Sequence, residues 1–114
     1  MASATEASNV YTRYQEEAWE LNRVETLLSN KIATIRRNRL TLEEISIISQ
    51  DNPSFVSIGR MFLQQPLPTI QADIHSANSN LEEEAGKLES TRTYLQRSVK
   101  ERKDAYDELI RSMS

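Results

Sequence analysis

The sequence predicts a mostly α-helical fold, in which two long antiparallel helices form a coiled coil and flank a central β-hairpin. Three observations lead to this prediction. Apolar residues repeat at heptad spacing on both sides of the chain centre, and a Gly59-Arg60 step separates two short apolar runs there. Only 38% of the residues are apolar, which is less than the roughly 45–50% of a typical globular domain. Because none of these pieces can bury its own apolar surface, the sequence indicates assembly with other chains.

Composition limits the classes of protein that need to be considered. The 114 residues allow a single domain, which we place at 10–114 after a flexible N-terminus at 1–9. A net charge of −3 lacks the basic footprint of a nucleic-acid-binding protein. No apolar run approaches the ~20 residues that span a membrane. There is no cysteine and no secretory signal in the first residues, so we expect a cytoplasmic protein.

The first helix is predicted over 10–39. Its apolar seam consists of residues that recur every seven positions and of residues that fill the steps between them: Tyr14, Leu21, Leu28 and Ile35, with Val10, Ala18, Val24 and Ile32. Ser3 and Glu6 have the spacing of a capping box, which would allow an earlier start. We interpret Arg36, Arg37 and Arg39 as cations that complement the dipole at the end of this helix.

A short helix and the hairpin follow. Thr41 and Glu44 have capping-box spacing and predict a separate helix over 42–49, which ends before Pro53. Residues 54–65 predict strand, turn and strand, with Gly59 at the first central position of a type II′ turn. Ile58 then faces Met61, and Val56 faces Leu63, on one fully apolar face. The opposite face pairs Phe55 with Gln64 and Ser57 with Phe62, and both outer edges lack a partner strand.

The second helix is predicted over 67–112, opened by Pro66 and Pro68. Its seam combines a seven-residue repeat with the intervening positions: Ile74, Leu81, Leu88, Leu95 and Leu109, with Ile70, Ala77, Ala85, Thr91, Val99, Tyr106 and Met113. Antiparallel packing against the first helix brings Val10 and Met113 to the same end.

The apolar residues at this shared end form what we call the tip patch. Its members are Val10, Tyr11, Tyr14, Tyr106, Leu109, Ile110 and Met113. Ordinary coiled-coil packing explains some of them, and an exposed apolar surface for a nonspecific partner explains them equally well. The spacing alone leaves both interpretations open.

The sequence contains no pattern that predicts catalysis. His75 is the single histidine and has no cysteine to share a metal site with. Glu82, Glu83 and Glu84 are consecutive in a helix, so their side chains diverge and we interpret them as a solvated face. Trp19 lies beside the seam residue Ala18, which predicts partial packing. We therefore expect no enzyme, no metal and no cofactor.

Two motifs resemble those of a known family. They are Ile58-Gly59-Arg60-Met61-Phe62-Leu63-Gln64 in the hairpin and Tyr94-Leu95-Gln96-Arg97-Ser98-Val99-Lys100 in the second helix. With the helix, hairpin, helix order, they resemble the β-type subunits of prefoldin over about Val10 to Ile110.

The resemblance implies a heterohexameric co-chaperone of α-type and β-type subunits, whose hairpins join into intersubunit β-barrels. The coiled-coil tips of such a complex hold unfolded proteins, chiefly actin and tubulin, and transfer them to the cytosolic chaperonin without ATP. By position, the tip patch would contact the client. The hairpin residues that would build the barrel are Phe55, Val56, Ile58, Gly59, Met61, Phe62 and Leu63.

Two other functions remain as alternatives. A structural coiled-coil adaptor or scaffold shares the helices but gives the hairpin no special purpose. A coiled-coil arm of an RNA-binding enzyme requires a basic face and a catalytic domain, and the acidic charge and short length disfavour both.

Overall fold

A computed structural model describes residues 3–114, and its elements follow in the predicted order. Helix α1 spans Ala4–Ser46, strand β1 Ser54–Ile58, strand β2 Met61–Gln65 and helix α2 Leu67–Met113. The predicted fold class, two long helices around an antiparallel hairpin, is confirmed. The described residues form two compact units. We call 3–29 with 86–114 the terminal unit and 30–85 the hairpin unit.

Helix α1 begins at Ala4, six residues before the predicted start at Val10. The Ser3 hydroxyl accepts the backbone N–H of Glu6 at 3.1 Å, as an N-cap does. Ala7 is buried, and it lies one heptad before Tyr14. Residues 4–9 are therefore helical, in contrast to the flexible N-terminus expected over 1–9. Met1 and Ala2, which that expectation also covered, lie outside the described residues.

The separate helix predicted over 42–49 was wrong, because α1 continues through Thr41 to Ser46. The Thr41 hydroxyl donates to the carbonyl oxygen of Arg37 at 2.9 Å, which is the bond of a helix interior and not of a cap. Nothing breaks the helix there, and Leu42 and Ile45 continue its half-buried stripe. The bounds also correct the interpretation of the arginines, since Arg39 lies about two turns before the end of α1.

The hairpin has the predicted register and turn. Val56 pairs with Leu63 and Ile58 with Met61, while Phe55 pairs with Gln64. Gly59 has a φ of 60°, whereas Arg60 has no positive φ. A type I′ turn would require a positive φ at both positions, so the turn is of type II′.

Alanine substitutions at the two glycines are expected to change the free energy of unfolding in opposite directions. We expect Gly59→Ala to lower the free energy of unfolding by at least about 1 kcal/mol, because an L side chain is strained at positive φ. Gly86→Ala should raise it by about 0.5–1 kcal/mol, because α2 gains helix propensity and the new methyl group meets no atom within 4 Å. Thermal unfolding of the two variants checks this, with Gly59→Ala measured in an assembly that keeps the hairpin folded. Shifts of the same sign would contradict it.

Each unit buries a narrow seam between antiparallel segments of α1 and α2. The core of the terminal unit includes Val24, Leu28 and Leu95, and that of the hairpin unit includes Ile35, Leu67 and Ala85. Two seam positions predicted in α2 were wrong by one residue. Ala77 and Thr91 are exposed, and their places are taken by Asn78, which is buried, and Arg92, which is half-buried.

Candidate functional surfaces

The hairpin exposes apolar side chains on both of its faces. On the fully apolar face Met61 is 69% exposed, and Ile58 and Leu63 are each 50% exposed. On the mixed face Phe62 is 75% and Phe55 57% exposed. Among the residues that the structure describes, β1 and β2 pair only with each other. Both outer edges of the sheet therefore retain unpaired backbone groups.

Such a hairpin is unstable as a free element in water. A two-stranded sheet is marginal without a third strand or a packed helix, and clustered exposed apolar residues mark an interaction site. Unpaired edges add backbone donors and acceptors that favour strand addition. The hairpin therefore has the properties of an interface for other chains.

The end of α1 adds apolar surface that the sequence did not predict. Ile47 is 87% exposed in the turn after the helix, Leu40 is 58% exposed and Ile48 40%. The helix predicted over 42–49 includes both Ile47 and Ile48. In the structure α1 ends at Ser46, so both residues lie outside any helix.

In the terminal unit, the structure brings together three tyrosines of the tip patch. The Tyr11 ring lies 5.0 Å from that of Tyr106 and 6.1 Å from that of Tyr14, measured between centroids. Both pairs are tilted, which is a favourable aromatic geometry. Tyr14 and Tyr106 are half-buried, whereas Tyr11 is exposed. The cluster therefore joins α1 and α2 and still presents one ring to solvent.

The remaining members of the tip patch divide in the same way. Val10 and Leu109 are half-buried in the seam. Ile110 and Met113 are exposed. Partly exposed Met and Tyr side chains can adapt to different apolar partners. The seam members of the tip patch therefore pack between the helices, and its exposed members present apolar surface to solvent.

A charged contact that sequence reasoning missed joins the helices of the terminal unit. The Ser98 hydroxyl donates to Glu17, and the Nε atom of Arg102 lies 2.8 Å from the Oε1 atom of Glu17. This explains why Arg102 interrupts the apolar heptad of α2. Burial raises the pKa of Glu17, but the hydrogen bonds from Ser98 and Arg102 and the charges of Arg102 and Arg13 outweigh it, so that this pKa is lowered.

The lowered pKa predicts a pH-dependent stability. Ionised Glu17 stabilises the fold above its ordinary pKa of 4.5, and this contribution is lost as the pH falls through the lowered value. We expect Glu17→Gln to reduce the free energy of unfolding by roughly 1 kcal/mol at pH 7, with a smaller reduction below pH 4.5. Chemical denaturation at several pH values measures both.

Glu108→Gln is a matched control for this prediction. Glu108 pairs with Arg111 in the same unit, but both side chains are 74% exposed. Such a pair contributes little to stability, so the control should unfold like the wild type at every pH. A Glu17→Gln effect that is constant from pH 7 to pH 3 would contradict the assignment.

Ion pairs also flank the seam of the hairpin unit. Lys31 Nζ lies 2.7 Å from Glu84 Oε2, and Arg39 Nη2 lies 2.7 Å from Glu82 Oε1. Glu82 and Glu84 therefore pair across the helices, which refines their interpretation as a solvated face.

Trp19 is 68% exposed, so the predicted partial packing was wrong.

Residues 3–114 contain neither a membrane-spanning helix nor a cluster of metal-ligating side chains. Between residues 3 and 114, neither helix combines the length and apolar character needed to cross a bilayer. In the same range, no three His, Cys, Asp or Glu residues are grouped so that they could hold a metal ion.

Two long helices with an exposed antiparallel hairpin between them define a helix–hairpin–helix class of protein. The family model described as prefoldin subunit matches residues 8–112. The chain belongs to the prefoldin subunit family.

Relatives and a solved structure agree with this family. The chain is 27% identical to prefoldin subunit 1 of Homo sapiens over 109 residues, which cover 92% of this chain and 89% of that protein. It is 26% identical to prefoldin subunit 1 of Arabidopsis thaliana over 91 residues, or 80% and 71% of the two chains. The crystal structure of the prefoldin beta subunit from Thermococcus strain KS-1 matches with a TM-score of 0.80 and 15% identity, over 90% of each chain. This last likeness concerns the fold.

Proposed function

We propose that this chain is one subunit of a heterohexameric prefoldin, a co-chaperone that it forms with other α-type and β-type subunits. The observation that carries this proposal is the hairpin, which exposes apolar residues on both faces. In the proposed assembly, neighbouring subunits pair with its edges and close an intersubunit β-barrel. Closure satisfies the unpaired backbone groups and removes the edges that would otherwise invite aggregation.

The hairpin residues have two roles in this assembly. Gly59 permits the tight turn through its positive φ. The apolar side chains become buried, either inside the barrel or against neighbouring subunits on its outer face. They are Phe55, Val56, Ile58, Met61, Phe62 and Leu63. Full burial of one such side chain stabilises by about 1.5–3 kcal/mol, so several together outweigh the entropy lost in association.

The proposed activity is ATP-independent capture of unfolded proteins by the tip patch. Tyr11, Ile110 and Met113 offer partly exposed apolar surface, and unfolded chains expose apolar residues without a fixed pattern. Each contact is weak, so firm capture requires several subunits to act together. The same weakness allows release without nucleotide hydrolysis. We propose clients such as actin and tubulin, and transfer to the cytosolic chaperonin in the cytoplasm.

This function requires no cofactor, no nucleic acid and no membrane. It differs from the adaptor alternative in its treatment of non-native proteins. An adaptor binds folded partners of fixed identity, whereas a co-chaperone prevents aggregation of clients that have lost their structure.

Recovery of the tagged chain from cells tests both parts of the proposal. We expect a complex with the mass of six subunits, in which the other chains are prefoldin subunits, and which suppresses aggregation of denatured actin without ATP. A complex with unrelated folded partners and no suppression would instead support the adaptor. Suppression that required ATP would contradict the proposed mechanism.

A further inference from the structure

One polar pair lies inside the seam of the hairpin unit. Asn78 is 6% exposed, and its Oδ1 atom accepts the side-chain N–H of Asn38 at 2.8 Å. The Nδ2 atom of Asn78 donates to the backbone carbonyl of Ile35 at 3.3 Å. The Asn78 amide is therefore bonded through both its oxygen and its nitrogen to α1.

The loops that connect the elements do not by themselves fix where α1 lies along α2. Only Pro66 separates β2 from α2, so α2 is tied closely to the hairpin. By contrast, residues 47–53 separate α1 from β1. A loop of this length, extended, reaches more than ~20 Å, whereas a slip by one heptad moves a helix by about 10 Å. The loop can therefore accommodate a slipped α1.

The apolar seam does not exclude such a slip. One heptad series of the α1 seam, which includes Leu28, Ile35 and Leu42, is apolar throughout, so a slip by one heptad again places these side chains against the apolar series of α2. The ion pairs of Lys31 and Arg39 are partly exposed and select a register weakly. The buried amides select it strongly. A slip that sets Asn38 against Ala85 and Asn78 against Ile45 breaks the hydrogen bond between the two amides and leaves the Oδ1 atom of buried Asn78 without its donor, which costs roughly tenfold or more in population.

We propose that Asn38 and Asn78 form a register lock, which fixes α1 against α2 in the hairpin unit and so fixes the end of α1 relative to the hairpin. A buried asparagine pair costs stability compared with leucine and gives specificity in return. The lock is independent of the proposed client binding, because it concerns the alignment of one chain.

Spin labels test the lock in the full chain, which has no cysteine of its own. Labels are attached after Lys31→Cys with Glu84→Cys, since these side chains meet at 2.7 Å in the native register. We expect a single distance with native asparagines. With Asn38→Leu and Asn78→Leu together, we expect a second population shifted by about 10 Å and a Tm that is higher by a few degrees. A single unshifted distance in the doubly substituted chain would overturn the proposal.

Two further sets of variants keep the test decisive. Asn78→Leu alone and Asn38→Leu alone should each lower the Tm, because the partner amide is left unpaired, and the double change should reverse that loss. Single variants with an unchanged Tm would also overturn the lock. Ile35→Leu with Leu81→Ile exchanges apolar seam residues nearby and should retain the single native distance.

Discussion

Val56→Asp is expected to abolish assembly of this chain with other prefoldin subunits, while the helical content of the chain remains. Val56 is the half-buried residue of the apolar hairpin face, opposite Leu63. In an assembled barrel a carboxylate at this position would lose its hydration without gaining a partner, which costs several kcal/mol. We expect subunit affinity to fall by at least about 100-fold, a factor that corresponds to ~2.7 kcal/mol. Size-exclusion chromatography with mass determination measures it.

Arg60→Asp is the matched control, because it introduces the same carboxylate into the same hairpin. Arg60 occupies the second central position of the turn and is exposed. A type II′ turn accepts aspartate there, so assembly should persist. Normal assembly of the Val56→Asp chain would indicate that the hairpin is not the interface, and would favour the structural adaptor.

The second large effect concerns the tip patch. Tyr11→Ser, Ile110→Ser and Met113→Ser together should leave assembly intact and weaken capture of unfolded protein by roughly tenfold. These three side chains are each about two-fifths exposed, and together they supply much of the apolar surface that the tip patch offers to a client. Suppression of aggregation, titrated against complex concentration, measures the loss.

A control with similar chemistry is available elsewhere in the terminal unit. Trp19 and Tyr94 are 68% and 65% exposed, and Leu27 is 38% exposed. Serine at these three positions removes at least as much exposed apolar surface outside the tip patch. We expect this variant to suppress aggregation like the wild type. Equal losses in the two variants would contradict a specific role for the tip patch.

The parts of the fold that depend on local chemistry could be predicted from the sequence. Gly59 at a type II′ position determined the turn, and the turn determined the register from Ser54 to Gln65. Heptad spacing predicted both long helices. The spacing of Ser3 and Glu6 also indicates the true N-cap, although the apolar pattern, which becomes dense only at Val10, favours a later start.

The errors arise where a local signal competed with packing between elements. Thr41 and Glu44 match a capping box, but an unbroken helix through Thr41 keeps Leu42 and Ile45 on the packed stripe. The sequence prediction places Ala77 and Thr91 on the seam of α2, where the structure places Asn78 and Arg92. Strict alternation of three- and four-residue steps would have selected them. Asn38, the partner of Asn78, lies 40 residues away in the sequence, and the pair becomes visible only when the helices are packed.

The candidate functional surfaces also divide into features set by the local sequence and features set by packing between elements. The apolar pattern predicted the hairpin face and the tip patch as residue sets with incomplete burial, but it did not predict how far each member is exposed. Exposure depends on whether a second element covers a residue, as the contrast between buried Leu28 and exposed Ile47 shows. The roles of the hairpin in assembly and of the tip patch in capture remain proposals.

Amide hydrogen exchange over Ser54–Gln65 tests the central claim most directly, because it asks whether the hairpin depends on other chains. In the isolated chain at micromolar concentration, we predict rapid exchange throughout this segment, since two strands alone are marginal. In the assembled complex, the same amides should be protected by at least about 100-fold as the edges become paired. Full protection of the hairpin in an isolated monomer would contradict the account.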